Sequence, residues 1–298
     1  KSGDLMLSYR NCMLCPRKCG VDRTAGARGF CNMPAQPRAA KAMLHYGEEP
    51  PISGAFGTGA VFFSGCTLRC VYCQNGEISA GGKGAPLDAR RLRNIFEKLI
   101  DEGAQSIDLV TPTHFLPDVL PALTPKLPVP VVYNCGGYER VETLRALEGL
   151  VDIYLPDFKY ADDGLAARLS RAPDYFEVAS AAISEMYRQV GGAVIRDGIM
   201  ERGLLIRHLV LPGYLDNSLR VIEWVAAQFP KNDVLFSLMR QYVPPENATP
   251  PLDRRLTAEE YDGAVSWMEL CGLTNGYTQD SSAATVEYLP DFDLGGIL

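Results

Sequence analysis

The sequence has no run that approaches the roughly 20 consecutive apolar residues a membrane-spanning helix needs. It also has no internal repeat and no low-complexity tract. Positive charge is in short supply: 29 Lys and Arg stand against 36 Asp and Glu, a formal net charge of -7. Broad electrostatic attraction to nucleic acid or to an anionic membrane is therefore not expected. No fourth cysteine accompanies the triplet in "GCTLRCVYC" (65–73), and a closed four-thiolate site there is ruled out. What remains is ordinary for a globular chain: 298 residues, 47% hydrophobic and 22% charged, enough for one large α/β domain or two smaller ones. Of nine cysteines, seven fall in two tight clusters and only Cys135 and Cys271 stand apart. That pattern suits metal ligation in a reducing, cytoplasmic setting better than a secreted disulfide framework.

Apolar runs alternate with helical patterns. Residues 59–65, 106–112, 130–136, 151–159, 204–213 and 234–243 read as strands, most of them too continuously apolar to keep a wet face, as in a parallel sheet. Between them "DARRLRNIFEKLIDEG", "LPDVLPAL", "VETLRALEG", "PDYFEVASAAISEMYRQVG" and "SLRVIEWVAAQF" carry apolar residues at helical spacing. The expected fold class is α/β, a partial (β/α)6 barrel, with a doubly wound open sheet as the competing arrangement. Asp197-Gly198 predicts a hairpin turn. Residues 1–58, rich in Cys, Gly and Pro, show no such periodicity. They read as a small N-terminal Cys-rich module and lead-in, leaving 59–298 to the barrel and a C-terminal extension. Polar residues gather where strands end, in "TPTH", "NCGGYE", "PDFK" and "RQY", the rim that carries chemistry in α/β barrels.

Cys66, Cys70 and Cys73, spaced C-x3-C-x2-C, follow the first of those strands. Three thiolates can hold three irons of a [4Fe-4S] cluster and leave the fourth iron open to a substrate or cofactor. Zinc would ordinarily want a fourth ligand.

With Tyr72 before its last cysteine, the triplet resembles the signature of radical S-adenosylmethionine (SAM) enzymes. "HYGEEPPISGAFGTGAVFFSGCTLRCVYCQNGEIS", "DLVTPTHFLP", "VVYNCGGYE", "VDIYLPDFKY", "IRHLVLPG" and "SLMRQY" extend the likeness to the pyruvate formate-lyase activating enzyme-related branch, notably homologues with an N-terminal four-cysteine segment. The resemblance implies SAM on the open iron, reductive cleavage to a 5'-deoxyadenosyl radical, and a flavodoxin- or ferredoxin-type electron donor. It implies Tyr72 near adenine, Asp157 and Lys159 near SAM, Arg207 as a SAM contact or a structural ion pair, and Tyr242 at the edge of the site. Where activating enzymes carry Gly-Gly-Glu, this chain has Thr111, Pro112, Thr113 and His114. Thr111 and Thr113 then become candidates for the SAM amino group, and His114 for a proton donor or substrate contact.

Upstream, Cys12, Cys15, Cys19 and Cys31 lie in one Gly-rich stretch and suit a second metal site, zinc or an additional iron-sulfur cluster. Glu48, Glu49 and Pro50 read either as a brace between this module and the barrel or as a solvated acidic loop. His114, Tyr138, Glu139, Arg240, Gln241 and Tyr242 form the expected substrate-facing set. Its mixed charges suit a protein glycine or peptide, or failing that a polar metabolite.

Overall fold

A computed structural model describes residues 7–284 and 290–298. In chain order the elements are β1 (Arg38–His45), α1 (Pro50–Ser53), β2 (Thr58–Phe63), α2 (Gly76–Ser79), β3 (Ala85–Pro86), α3 (Ala89–Asp101), β4 (Ile107–Val110), α4 (Leu116–Ala122), β5 (Val131–Cys135), α5 (Val141–Leu144), β6 (Ile153–Pro156), α6 (Asp163–Ser170), α7 (Tyr175–Val190), β7 (Val194–Arg196), β8 (Ile199–Leu209), α8 (Leu215–Gln228), β9 (Leu235–Met239), α9 (Ala258–Leu270) and β10 (Gly276–Thr278).

All six expected strands form, as β2, β4, β5, β6, β8 and β9, and they pair in parallel in that order. The sheet continues to a parallel β10 on one side and to antiparallel β1 and β3 on the other. Its parallel order never reverses, so there is no switch point of the doubly wound kind, and right-handed crossovers keep the helices on one face. The expected turn is also present. Asp197 and Gly198, at φ 50° and 81°, join β7 to β8 in the left-handed conformation a two-residue hairpin requires.

Strand side chains alternate faces, and the two faces differ in chemistry. Val61, Phe63, Ile107, Leu109, Val131, Tyr133, Leu204, Ile206, Phe236 and Leu238 share one buried cluster with helix residues such as Leu92, Phe96, Val119 and Val221. α3 illustrates the fit: Asp88 caps its start by accepting from Arg91 N, and Leu92, Ile95, Phe96 and Leu99 make its buried stripe. The opposite register turns to the barrel interior. Val132, Ile153, Leu155, Leu205 and Leu235 close there around Ile52. Two residues further along their strands, in the same register, come Asn134, Asp157, Arg207 and Ser237.

The lead-in carries a strand that its sequence pattern does not announce. β1 runs antiparallel to β2, with His45 opposite Thr58, so residues 38–45 belong to the barrel sheet. α1 follows and packs the 1% exposed Ile52 into the inner cluster. Among the described residues no helix is long and apolar enough to cross a membrane.

Candidate active site

Gly65 turns the chain off the end of β2 at φ +82°, where a Cβ would stand 2.4 Å from Met33 Cγ. Only glycine suits that turn, and it delivers Cys66 onto the rim. Cys66, Cys70 and Cys73 then border a cavity of about 500 Å³ that reaches into the barrel. Each sulfur has a polar neighbour: Leu68 N donates to Cys66 Sγ (3.3 Å), Ser170 Oγ donates to Cys70 Sγ (3.0 Å), and Ser79 Oγ lies 3.3 Å from Cys73 Sγ. Burial, with the neighbouring Cys70 adding to it, pushes the Cys66 thiol up to about 12. Burial also raises Cys70, although Lys159 pulls the other way. Thiols so placed do not ionise unaided, and a bound cation would have to favour the thiolates.

Among the described residues no three His, Cys, Asp or Glu side chains stand close enough together to hold a single metal ion. A cluster takes each thiolate on a different iron and does not require that convergence. Three soft ligands on one rim, with donors on the sulfurs and a cavity beside them, fit a site-differentiated [4Fe-4S] cluster. Cys135 also borders the cavity, but its charged neighbours are Glu139, Asp157 and Arg207, not the triplet.

Tyr72 is tied to this loop by a relay. Its hydroxyl lies 2.6 Å from that of Tyr160, which lies 2.6 Å from Ser170 Oγ, the donor to Cys70. The Tyr72 ring meets that of Tyr242 edge-on at 6.3 Å, and Tyr242 donates to Leu252 O (2.6 Å). On the far wall, Lys159 Nζ donates to Asp157 Oδ2 (2.6 Å) and Arg207 Nε to Asp157 Oδ1 (3.1 Å). Burial opposes the Asp157 charge, yet Lys159 and Arg207 together hold its carboxyl below the usual range. Thr111 completes the wall at φ +60°, a strained setting for a β-branched residue of the kind found at ligand sites.

Tyr72, Thr111, Asp157, Lys159, Arg207, Gln241, Tyr242 and the triplet thus come together around one space, whereas other expected site residues do not. His114 is buried behind β2, with Nε2 2.7 Å from Ser64 O; burial lowers its pKa to about 3, so the ring is neutral and its Nε2–H is committed to the Ser64 carbonyl. Thr113 donates to Glu139 Oε1 (2.7 Å) in the layer between sheet and helices, and Tyr133 reaches both. Tyr138 bonds Asp174, and Arg240 lies over the Tyr261 ring. None of these five lines the cavity.

The residues that sequence reasoning missed lie in the interior. Arg207 Nη1 donates to Glu48 Oε2 (2.7 Å) and Nη2 to Asn134 Oδ1 (2.6 Å), while Asn134 Nδ2 donates to Asp108 Oδ2 (3.2 Å). Glu48 and Glu49 therefore neither brace the Cys-rich segment nor face solvent; they enter the barrel from below. The signal available was a single Asp inside the apolar run "SIDLVTP".

Cys12, Cys15 and Cys31 are buried and Cys19 partly so. Burial raises the thiols of Cys15 and Cys31, and in each case other members of the set push further. Three arginines tie this segment to the barrel. Arg23 donates to Met33 O (3.2 Å), Pro34 O (2.5 Å) and His114 O (2.6 Å); Arg17 donates to Thr67 O (2.9 Å); and Arg140 donates to Met13 O.

Residues 54–114, which carry the triplet, match the family described as a 4Fe-4S single cluster domain. The uncharacterized protein MJ0674 of Methanocaldococcus jannaschii is 29% identical over 278 residues, 89% of this chain and 76% of its own. Among solved structures, Streptococcus suis SuiB bound to S-adenosylmethionine aligns with a TM-score of 0.50 at 13% identity, over 72% of this chain and 48% of SuiB. SuiB bound to its precursor peptide SuiA aligns at 0.52, with 13% identity, over 72% and 47%. This chain thus matches about half the length of SuiB. Its fold is a partial α/β barrel like that of SuiB, with the segment similar to 4Fe-4S single cluster domains at the rim.

Proposed function

We propose that this chain is a radical SAM enzyme that removes hydrogen from a peptide-borne substrate. The observation that carries the reading is the placement of the three thiols of Cys66, Cys70 and Cys73 on the C-terminal rim, over a cavity walled by Asp157, Lys159 and Arg207 among apolar side chains. Cys66, Cys70 and Cys73 would hold the cluster. When bound, a [4Fe-4S] cluster with SAM on its open iron supplies one-electron cleavage of SAM and a carbon-centred radical. The protein's part is to hold both molecules still and keep water out. Lys159, kept protonated by Asp157, offers a charge-assisted bond to the SAM carboxylate. Tyr72, held by Tyr160, offers an aromatic edge, and Thr111 offers a hydroxyl and a carbonyl. A flavodoxin- or ferredoxin-type protein would deliver the electron, and Cys12, Cys15, Cys19 and Cys31 are the thiols for a second metal, which would have to draw them together, since as placed they do not converge on a single ion.

The peptide reading is supported by SuiB, which binds a precursor peptide, and by the charged interior, which a bare glycine would leave unused. Activation of a glycyl radical enzyme is the second reading, favoured by the likeness to activating enzymes.

Anaerobic reconstitution followed by iron analysis and 5'-deoxyadenosine assay tests the proposal. Replacing any one of Cys66, Cys70 and Cys73 with Ala should remove about four irons per chain and all 5'-deoxyadenosine, with the circular dichroism unchanged. A triple variant that still made 5'-deoxyadenosine would refute it. In that variant, about one zinc or about four irons left per chain would locate the second site at the N-terminal cysteines. With cell extract, a stable glycyl doublet on a large partner would favour the activating reading over the peptide one.

A further inference from the structure

Four carboxyls surround Arg207: Asp157, Glu48, Glu49 and Asp108. Of the other basic groups nearby, Lys159 is already taken by Asp157 at 2.6 Å and His45 Nε2 lies 3.9 Å from Glu48 Oε1. Glu48 has the close contact with Arg207, whereas Glu49 Oε2 lies 4.0 Å from Nη1 on a side chain only 8% exposed. That oxygen has no hydrogen-bond partner, and neither has Asp108 Oδ1. A buried acceptor left without a donor costs about 1–3 kcal/mol, more where it is charged, so the position is explained if a ligand supplies the donor. Glu49 borders the cavity beside Ser237 and Tyr277, with Phe62, Leu209 and Met239 also on its wall.

We propose that the inner end of the cavity receives a positively charged group of the substrate, an alkylammonium or alkylguanidinium, with Glu49 Oε2 as its acceptor. A bare metal ion would want three or more converging oxygens, and none of the described residues form such a set. An organic cation needs one carboxylate and an apolar wall for its stem, and an aromatic face strengthens the hold. Position also separates this end from the thiols. Cys66 follows the C-terminal end of β2, whereas Glu48 and Glu49 follow His45, which pairs with Thr58 at its start. Those backbone ends are roughly 20 Å apart for a six-residue strand, and the Glu49 side chain spans part of that gap to within 4.0 Å of Arg207. Burial raises both Glu49 and Asp108 toward their neutral forms, and a cation bound beside them would favour the carboxylates instead.

The inference deepens the proposed function and rests on it only in calling the occupant a substrate, because binding can be read without turnover. The experiment is equilibrium binding, by ligand-observed NMR, of n-butylammonium, n-butylguanidinium and neutral n-butanol to the cluster-reconstituted chain with SAM. The cations should bind saturably and n-butanol at least ~10-fold more weakly, and Glu49→Gln should weaken cation binding by at least ~10-fold. Equal binding of n-butanol, no effect of Glu49→Gln, or displacement of the ammonium mole for mole by KCl would overturn the proposal. If Glu49→Gln fails to fold, the preference of the wild type for cation over alcohol decides alone. A peptide with a central lysine, set against its norleucine counterpart, separates the two sources of the cation. Binding at least ~10-fold tighter than n-butylammonium assigns it to a side chain, and weaker binding assigns it to a free amine. Loss of cation preference with 5'-deoxyadenosine formation intact would sink this inference and leave the radical reading standing.

Discussion

Glu139, expected in the substrate-facing set, is instead buried behind the rim against Thr113 and Tyr133. Its carboxyl is buried and, despite bonds from Thr113 and Tyr133, its pKa is pushed up to about 8, chiefly by loss of solvation. Between its ordinary value near 4.5 and about 8, the native chain therefore holds a proton that the unfolded chain has released. Stability must fall as pH rises through that window and level off above it. Glu139→Gln should flatten this slope: its urea midpoint should exceed the wild type's at pH 8, and the gain should vanish near pH 4.5. A gain independent of pH would show that burial is not the cause. At this scale the triplet was legible because its spacing is chemically restrictive. Glu49 was not, because an acidic pair before Pro50 looks the same whether it meets solvent or a barrel interior.

Elements were legible where one face is buried and the other wet. α3 and α8 carry broad buried stripes and were read. α9 buries only Tyr261, Ala264 and Met268, and was missed despite a complete capping box between Thr257 and Glu260. β1 was missed because "RAAKAMLH" offers small residues where a strand reader looks for β-branched and aromatic ones. Four-residue α1 is below what periodicity can detect, yet it closes the lower end of the barrel. Ile52→Ala should cost about 2–5 kcal/mol, because Val132, Ile153, Leu155, Leu205 and Leu235 surround the side chain and cannot all collapse inward. Urea denaturation measures this directly. A loss below about 0.5 kcal/mol would mean that α1 lies on the surface and that Glu48 and Glu49 are not held in the interior.

For the whole molecule, the sequential parallel sheet follows from six apolar runs separated by helical stretches. The docking of the Cys-rich segment does not, since it depends on arginine side chains meeting backbone carbonyls far away in sequence. Arg17 is the most consequential of these. Its guanidinium, 3.8 Å over the Phe30 ring, donates to Thr67 O (2.9 Å), Arg171 O (2.5 Å) and Ser170 O (3.4 Å). Thr67 lies between Cys66 and Cys70, and Ser170 is the residue whose hydroxyl donates to Cys70 Sγ. One side chain of the N-terminal segment thus fixes both flanks of the loop proposed to carry the cluster, and a planar fork suits that task as a lysine would not. Arg17→Lys should keep the positive charge but lose part of the fork, and Arg17→Ala should lose both. If the link runs through geometry, both variants should release iron to a chelator several-fold faster than wild type, with Arg17→Ala the faster. If the charge alone matters, Arg17→Lys should match the wild type. An unchanged rate in both would show that the Cys-rich segment sits on the barrel without acting on its rim.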